Sequence, residues 1–288
     1  MLEHRVVGVI GATSMIGQCL LPLLLEAHCK IVAFSRQSRF QSTETLIWKS
    51  AYSAPESSSD VIPYWLCLAP IWVIPEYVET LKACGAKHIV ALSSTSRFTK
   101  PQSSDESEKL LAQRIIEAET NLQSWSDQNQ IVWTILRPTL IYGLGQDKNI
   151  TEIAGLIRRF GFFPLIGKAD GLRQPVHAKD VAGAVLSAIS SPQAANKSYN
   201  LSGGETLTYK VMVERIFIGI GKAPVFLQIP WRLMQLIILA LRCLPRYRHW
   251  KLAMAERMNQ DLIFDHQEAR KDLDFNPRFF RLEPEDLV

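Results

Sequence analysis

Cysteine is scarce in this 288-residue chain. The five that occur, Cys19, Cys29, Cys67, Cys84 and Cys243, are odd in number and contain no CxxC pair. That excludes a disulfide framework and a cysteine-built zinc site as organising features and fits a reducing compartment. An excess of one charge is missing too. The 32 Lys and Arg stand against 28 Asp and Glu, and the resulting +4 is too balanced to imply a nucleic-acid partner. Internal repeats and low-complexity tracts are absent. So is an uninterrupted hydrophobic run of membrane-spanning length, because the most apolar stretch, residues 229–244, is broken by Arg232, Gln235 and Arg242. The first apolar run, Val6 to Ile10, is short and leads into glycine rather than a cleavage site, so no secretory leader and a cytoplasmic location are expected.

What is present is a globular composition, 47% hydrophobic and 21% charged, on a chain long enough for a full core. The first half alternates β-branched runs with amphipathic stretches, the order of βαβ units feeding a parallel sheet. Strands are predicted over 5–10, 31–35, 62–68, 88–92 and 131–136, and helices over 16–27, 75–84 and 106–125. In the last of these, Leu111, Ile115, Ala118 and Leu122 recur at helical spacing. The polar, serine-rich stretch 37–60 resembles a strand only at 46–49. After Gly143 the alternation loosens into helices near 152–160, 180–189 and 209–220, with a strand at 198–201. The fold class is therefore α/β, a doubly wound parallel sheet with a smaller, mostly helical C-terminal lobe.

The residues Gly11-Ala12-Thr13-Ser14-Met15-Ile16-Gly17 close the first strand and open the first helix. Gly11 can turn sharply out of the strand and Gly17 can let helix and sheet pack closely. The free amides of the helix start can then face a pyrophosphate. Ser14 stands where such a turn often has a middle glycine, which narrows the backbone's approach. At the end of the second strand lies Ser35-Arg36, where an acid would hold NAD's ribose hydroxyls. A guanidinium attracts a 2′-phosphate instead, which favours NADP and leaves NAD open.

Four further segments carry a resemblance: Val90-Ala91-Leu92-Ser93-Ser94-Thr95; Leu136-Arg137-Pro138-Thr139-Leu140-Ile141-Tyr142-Gly143; Arg173-Gln174-Pro175-Val176-His177-Ala178-Lys179-Asp180-Val181-Ala182; and Tyr199-Asn200-Leu201-Ser202-Gly203-Gly204. In order and spacing they resemble the extended short-chain dehydrogenase/reductases, the NAD-dependent epimerase/dehydratase family, over roughly residues 5–220. The resemblance implies a Rossmann-type domain over 1–145 with part of 175–205, and a substrate lobe over 146–174 and 206–288. It further implies cofactor contacts from Gly11, Thr13, Ser14, Met15, Ile16, Gly17, Ser35, Arg36, Ala69, Ser93, Pro138 and Thr139. Ser94 falls where the family hydrogen-bonds the reacting oxygen, while Arg173, assisted by Asn149, falls where it grips a substrate diphosphate. The implied ligand is a nucleotide sugar, and a homodimer is compatible with the resemblance. His177 and Asp180 fall in the segment leading into the next helix, where Asp180 reads more simply as an N-cap or a local hydrogen-bond acceptor than as an acid catalyst, and Tyr142 reads as a packing residue.

One family feature is missing. The family's chemistry uses a Tyr and a Lys one helical turn apart, the ammonium lowering the phenol's pKa. Lys109 fits the lysine position, but four residues earlier stands Asp105, and no tyrosine occurs between Tyr77 and Tyr142. A carboxylate beside an ammonium has almost no proton to give at neutral pH. Asp105 thus has a catalytic reading and a capping one, since Asp105-Glu106-Ser107-Glu108 has capping-box spacing. Lys109 can hold the cofactor ribose or pair within its helix. Two functions follow: an NAD(P)-dependent epimerase-like oxidoreductase, or a catalytically silent NAD(P)H-binding protein. The apolar helix expected at 230–244, with the basic and aromatic residues up to Lys251, also has two accounts, a membrane-surface contact or a helix of the substrate lobe.

Overall fold

The computed structural model describes residues 5–36, 40–50, 61–231, 233 and 256–287. Most of the apolar 230–244 stretch, the basic residues Arg242, Arg246, Arg248 and Lys251, and much of the serine-rich 37–60 segment lie outside them. Among the described residues no helix is long and apolar enough to cross a membrane.

A seven-stranded parallel sheet forms the centre, in the order β3 (Leu46–Ser50), β2 (Lys30–Ser35), β1 (Val6–Ile10), β4 (Tyr64–Cys67), β5 (His88–Leu92), β6 (Val132–Pro138), β11 (Lys197–Leu201). The order reverses between β1 and β4, which opens a crevice at the carboxyl ends of the strands there. This is the Rossmann-type α/β fold expected from the alternating pattern. The edge strand β3 was only faintly legible because it is half-buried along its length and shows no clean alternation.

The strands alternate their side chains between two helical layers. Val7 and Val9 of β1 pack with α1 (Met15–Glu26) and α6 (Ala178–Ser190), together with Ala269, Leu273 and Phe275 around the short helix α8 (Gln267–Leu273). Ile10 packs on the opposite layer with Trp65, Leu81 of α2 (Val78–Ala83) and Leu122 of α4 (Glu106–Gln128). The helix predicted over 75–84 begins instead as a tight 3₁₀ segment over Ile71–Tyr77. Pro75 has no amide hydrogen to donate, which disfavours it in an α-helix interior.

A third core belongs to the smaller lobe. It joins α5 (Ile150–Phe160), β8 (Phe163–Ile166) and α7 (Tyr209–Gly219) around Ile153, Ile157, Phe163, Met212 and Phe217. Short strand pairs tie this lobe together. β7 (Ile141–Tyr142) runs beside β10 (Val176–His177), β9 (Leu172–Arg173) beside β12 (Leu207–Thr208), and β8 beside β13 (Phe226–Ile229).

The C-terminal segment is clasped by a buried polar cluster. His177 caps α6 by accepting the Lys179 amide at Nδ1, 3.1 Å away, so its Nε2 carries the proton and donates to Asp286 at 3.2 Å. Asp286, fully buried, also accepts the amides of Leu144 and Glu283. Tyr142 packs edge-on against His177 and donates to the Arg281 carbonyl, while Asp180 binds Arg278 through its amide and guanidinium. Tyr142 packs as expected, whereas Asp180, expected as an N-cap or local acceptor, instead holds Arg278 from 98 positions away while His177 does the capping. Burial opposes ionisation of Asp286, but the His177 bond and the two amides outweigh it and hold the carboxyl below the usual range. A carboxyl depressed in the folded state contributes stability above its unfolded pKa and loses it as pH falls through the folded value. Asp286→Asn should therefore cost about 2 kcal/mol at pH 7, and the gap to the native chain should close below about pH 4. Urea melts at the two pH values measure it; a gap unchanged at pH 3 would contradict the assignment.

Candidate functional site

The carboxyl ends of β1, β4, β5 and β6 are neighbours in the sheet, and each delivers residues of interest to the same edge. After β1 the chain turns at Gly11 with φ +80°, and a Cβ there would lie 2.6 Å from the Ala69 amide nitrogen. Only glycine allows both that conformation and that approach. A Cβ on Gly17 would lie 2.2 Å from the Ala12 carbonyl oxygen, so α1 can fold back on the turn only without a side chain there. Ser14 is the N-cap of α1, its Oγ accepting the Gly17 amide at 3.1 Å. This satisfies one of the orphan amides of the first turn; those of Met15 and Ile16 have no intrahelical acceptor and line a concave, electropositive helix start. Thr13 is exposed at the tip of the turn, Ile16 is buried beneath it, and Ser35 is buried at the end of β2 with Arg36 exposed directly after it.

A cavity of about 790 Å³ opens beside this edge and runs into the smaller lobe. Met15, Ser94, Thr139, Asn149 and Arg173, five of the residues singled out in the sequence, line it together. Ser94 Oγ accepts the Ser96 amide at 3.1 Å and keeps its hydrogen to donate. Thr139 donates to the Gln174 carbonyl and, through its amide, to Leu201. Pro138, at the end of β6, accepts from the Thr95 hydroxyl.

The start of α4 is organised differently. Asp105 is the N-cap, accepting the Glu108 amide at 3.2 Å and the Ser107 hydroxyl at 2.6 Å. Lys109 is exposed and paired with Glu106 at 3.1 Å. Neither is among the described residues that line the cavity. The group that α4 sends inward here is Glu108, which accepts Arg257 at both carboxylate oxygens and the Ser103 hydroxyl at 2.7 Å. Burial works against its charge, but the Ser103 and Arg257 bonds prevail and keep its pKa low.

Arg173 is 4% exposed. Its guanidinium donates to the carbonyls of Leu172 and Gln260, both at 2.7 Å, and of Arg257, and it lies over the Tyr209 ring. Desolvation lowers its pKa to about 10, and burial lifts the Tyr209 phenol to about 12. Asn149 is exposed where α5 begins, but the helix start is capped by Asp147, whose Oδ1 accepts the amides of Asn149, Ile150 and Thr151.

Behind Ser94 lies a cluster that the sequence reading missed. Glu119, 1% exposed, receives Ser93, Arg97 and a two-armed contact from Arg137, whose Nε and Nη2 approach to 3.0 and 2.6 Å. Phe98 stacks beneath both guanidiniums. The available signal was a pair of glutamates, 108 and 119, on the same helical stripe as Ala112, Ile115 and Leu122.

With this geometry in view, comparison with known proteins is informative. Residues 76–202 match the NAD dependent epimerase/dehydratase family. That segment of the chain is similar to the family. It spans β5, α4, β6, α6 and β11, and so carries Ser94, Lys109, Pro138, Thr139 and Arg173. Over 99 residues, 34% of this chain, it is 29% identical to NADH dehydrogenase [ubiquinone] 1 alpha subcomplex subunit 9, mitochondrial, of Arabidopsis thaliana. The matched stretch spans about a quarter of the length of that relative (24%). An epimerase from Methanothermobacter thermautotrophicus superposes with a TM-score of 0.71 at 14% identity, covering 99% of this chain and 90% of that one. UDP-glucose 4-epimerase from Thermotoga maritima, solved with UDP-glucose, superposes at 0.67 and 15% identity over 98% and 96% of the two chains. At these identities the structural likeness concerns the fold.

Proposed function

We propose that the protein binds an NAD(P) dinucleotide at residues 11–17 and holds it without the family's tyrosine-dependent proton transfer. The observation that carries this reading is the start of α4. The residue one turn before Lys109 is a helix cap, and Lys109 itself faces Glu106 in solvent.

The residues present suit the dinucleotide. Gly11 and Gly17 leave the space that side chains would fill, and the first-turn amides of α1 supply donors to paired phosphates. Ser35, Ala69, Ser93, Pro138 and Thr139 sit at adjacent strand ends where the rest of the molecule would lie. A bound nicotinamide would supply a hydride donor or acceptor. The chain's own part would be to position it and to offer the Ser94 hydroxyl as a donor beside it. Arg36 favours NADP, through its charge beside a 2′-phosphate. The family segment and the plant relative, by name an NADH dehydrogenase subunit, support a nucleotide-holding role.

Titration of the purified chain with NADPH and NADH tests this. NADPH should bind more tightly, and Arg36→Glu should weaken it about tenfold or more while sparing NADH, tenfold being about 1.4 kcal/mol. Failure of either coenzyme to bind at millimolar concentration removes the dinucleotide. Rapid oxidation of bound NADPH on adding a nucleotide sugar removes the silent reading.

A second reading, turnover of a nucleotide sugar, draws support from Ser94 and Arg173 lining one cavity. It expects activity with some member of a nucleotide-sugar panel and its loss in Ser94→Ala.

A further inference from the structure

Beyond Ser94, the cavity changes character. Leu140, Ile141, Leu156, Met258, Leu262 and Phe264 all line it, and each is only half-buried by the chain's own described packing. Six apolar side chains from four separate stretches of chain therefore converge on one space with part of their surface still open. Covering such surface is favourable at roughly 25 cal/mol per Å², and the cavity as a whole, at about 790 Å³, falls within the roughly 300–1,000 Å³ typical of small-molecule sites.

Of the charged groups on the same walls, Lys148 is exposed, whereas Arg257, Lys100, Arg173 and Asp147 are already engaged with the protein. Arg257 is held by Glu108 at 2.5 Å, and Lys100 stands 3.9 Å from the same carboxylate. Arg173 spends its fork on three backbone carbonyls. Asp147 accepts three amides of α5 and the Thr151 hydroxyl. Lys148 apart, a diphosphate would have to draw cations away from these partners, and it would meet Asp147 and Glu152 in the same lining. A neutral ligand disturbs none of them. Ser94 and Thr139 bring hydroxyls to the sheet end of this space, where a single polar atom can be met.

We propose that this end of the cavity binds a neutral, elongated apolar molecule bearing one oxygen function at its tip, which Ser94 receives. This rests on the dinucleotide reading only for what lies next to the tip, and it replaces the nucleotide sugar as the second ligand. Leu156 of α5 and Phe264 of the C-terminal segment, which both line it, are the side chains that clasp its body.

Fluorescence of N-phenyl-1-naphthylamine with the full chain, with and without saturating NADPH, tests the proposal. The probe should bind and be displaced by dodecanal and dodecanol, while UDP and UDP-glucose at millimolar concentration leave it in place. Leu156→Asn and Phe264→Ala should each weaken the probe about tenfold, with NADPH titrations unchanged. Absence of probe binding, displacement by UDP-glucose, or affinity indifferent to both variants would overturn it; the competition measurement needs neither variant to fold. Probe binding with no NADPH binding would remove the dinucleotide reading and leave this one standing.

Discussion

Glu119→Ala should destabilise the protein by about 3–5 kcal/mol, because it strips the counter-charge from two guanidiniums that are held largely out of water. Arg137 is paired to Glu119 through two arms, and Arg97 and the Ser93 hydroxyl converge on the same carboxylate. Desolvation already lowers the pKa of both arginines. The cost should fall mainly on the unpaired charges and not on the lost volume. Glu119→Leu combined with Arg137→Leu should therefore be clearly less damaging than Glu119→Leu alone, even though it removes more polar groups. Urea unfolding of the single and double variants gives the comparison; strict additivity would mean that the two residues do not act as a pair. Since Ser93 and Arg97 flank Ser94 in sequence, the single variant should also weaken whatever ligand Ser94 meets.

The second large effect is expected at Gly17. A valine there would place its Cβ within 2.2 Å of the Ala12 carbonyl oxygen, so α1 and the turn must separate. We expect NADPH binding to fall at least about a hundredfold, equivalent to about 2.8 kcal/mol, with a loss of stability of several kcal/mol from overpacking. Gly183, inside α6, is the control. Nothing lies within 4 Å of a Cβ built there, so Gly183→Ala should leave binding unchanged and raise stability by roughly 0.5–1 kcal/mol through helix propensity. Isothermal titration of both variants and thermal melts distinguish the two cases. Retained NADPH affinity in Gly17→Val would locate the coenzyme elsewhere.

Local signals carried much of the architecture. β1, β2, β4, β5 and β6 lie within a few residues of the predicted strands because each is a short, mostly buried run rich in β-branched, aromatic or other apolar residues, and such runs need no knowledge of neighbours to be seen. The cap at Asp105 was equally legible, since an N-cap and the amide it binds are three residues apart. The start of α2 was misplaced because the apolar run up to Tyr77, with Pro75 inside it, winds as a 3₁₀ segment before the α-helix begins. At the start of α5, the capping by Asp147 two residues before Asn149 went unread, although it too acts over a few residues.

The cavity was far less legible. Arg257 reaches Glu108 across 149 positions and Arg173 reaches the Arg257 carbonyl across 84. Nothing in the local spacing around Arg173 indicates that its fork would be occupied by carbonyls. The two glutamates on the buried stripe of α4 were visible as letters, but a carboxylate on an apolar face has meaning only once its cationic partners are known.

By itself, then, the order of residues determined the doubly wound sheet and the glycine turn. It also showed the missing tyrosine, because these depend on periodicity, on backbone freedom at Gly11 and Gly17, and on what is absent from one stretch of chain. Tertiary structure alone decided which charges face the cavity and which are spent on other partners. Those pairings include residues 84 and 149 positions apart, and their energies arise only after the chain has excluded water from the space between them.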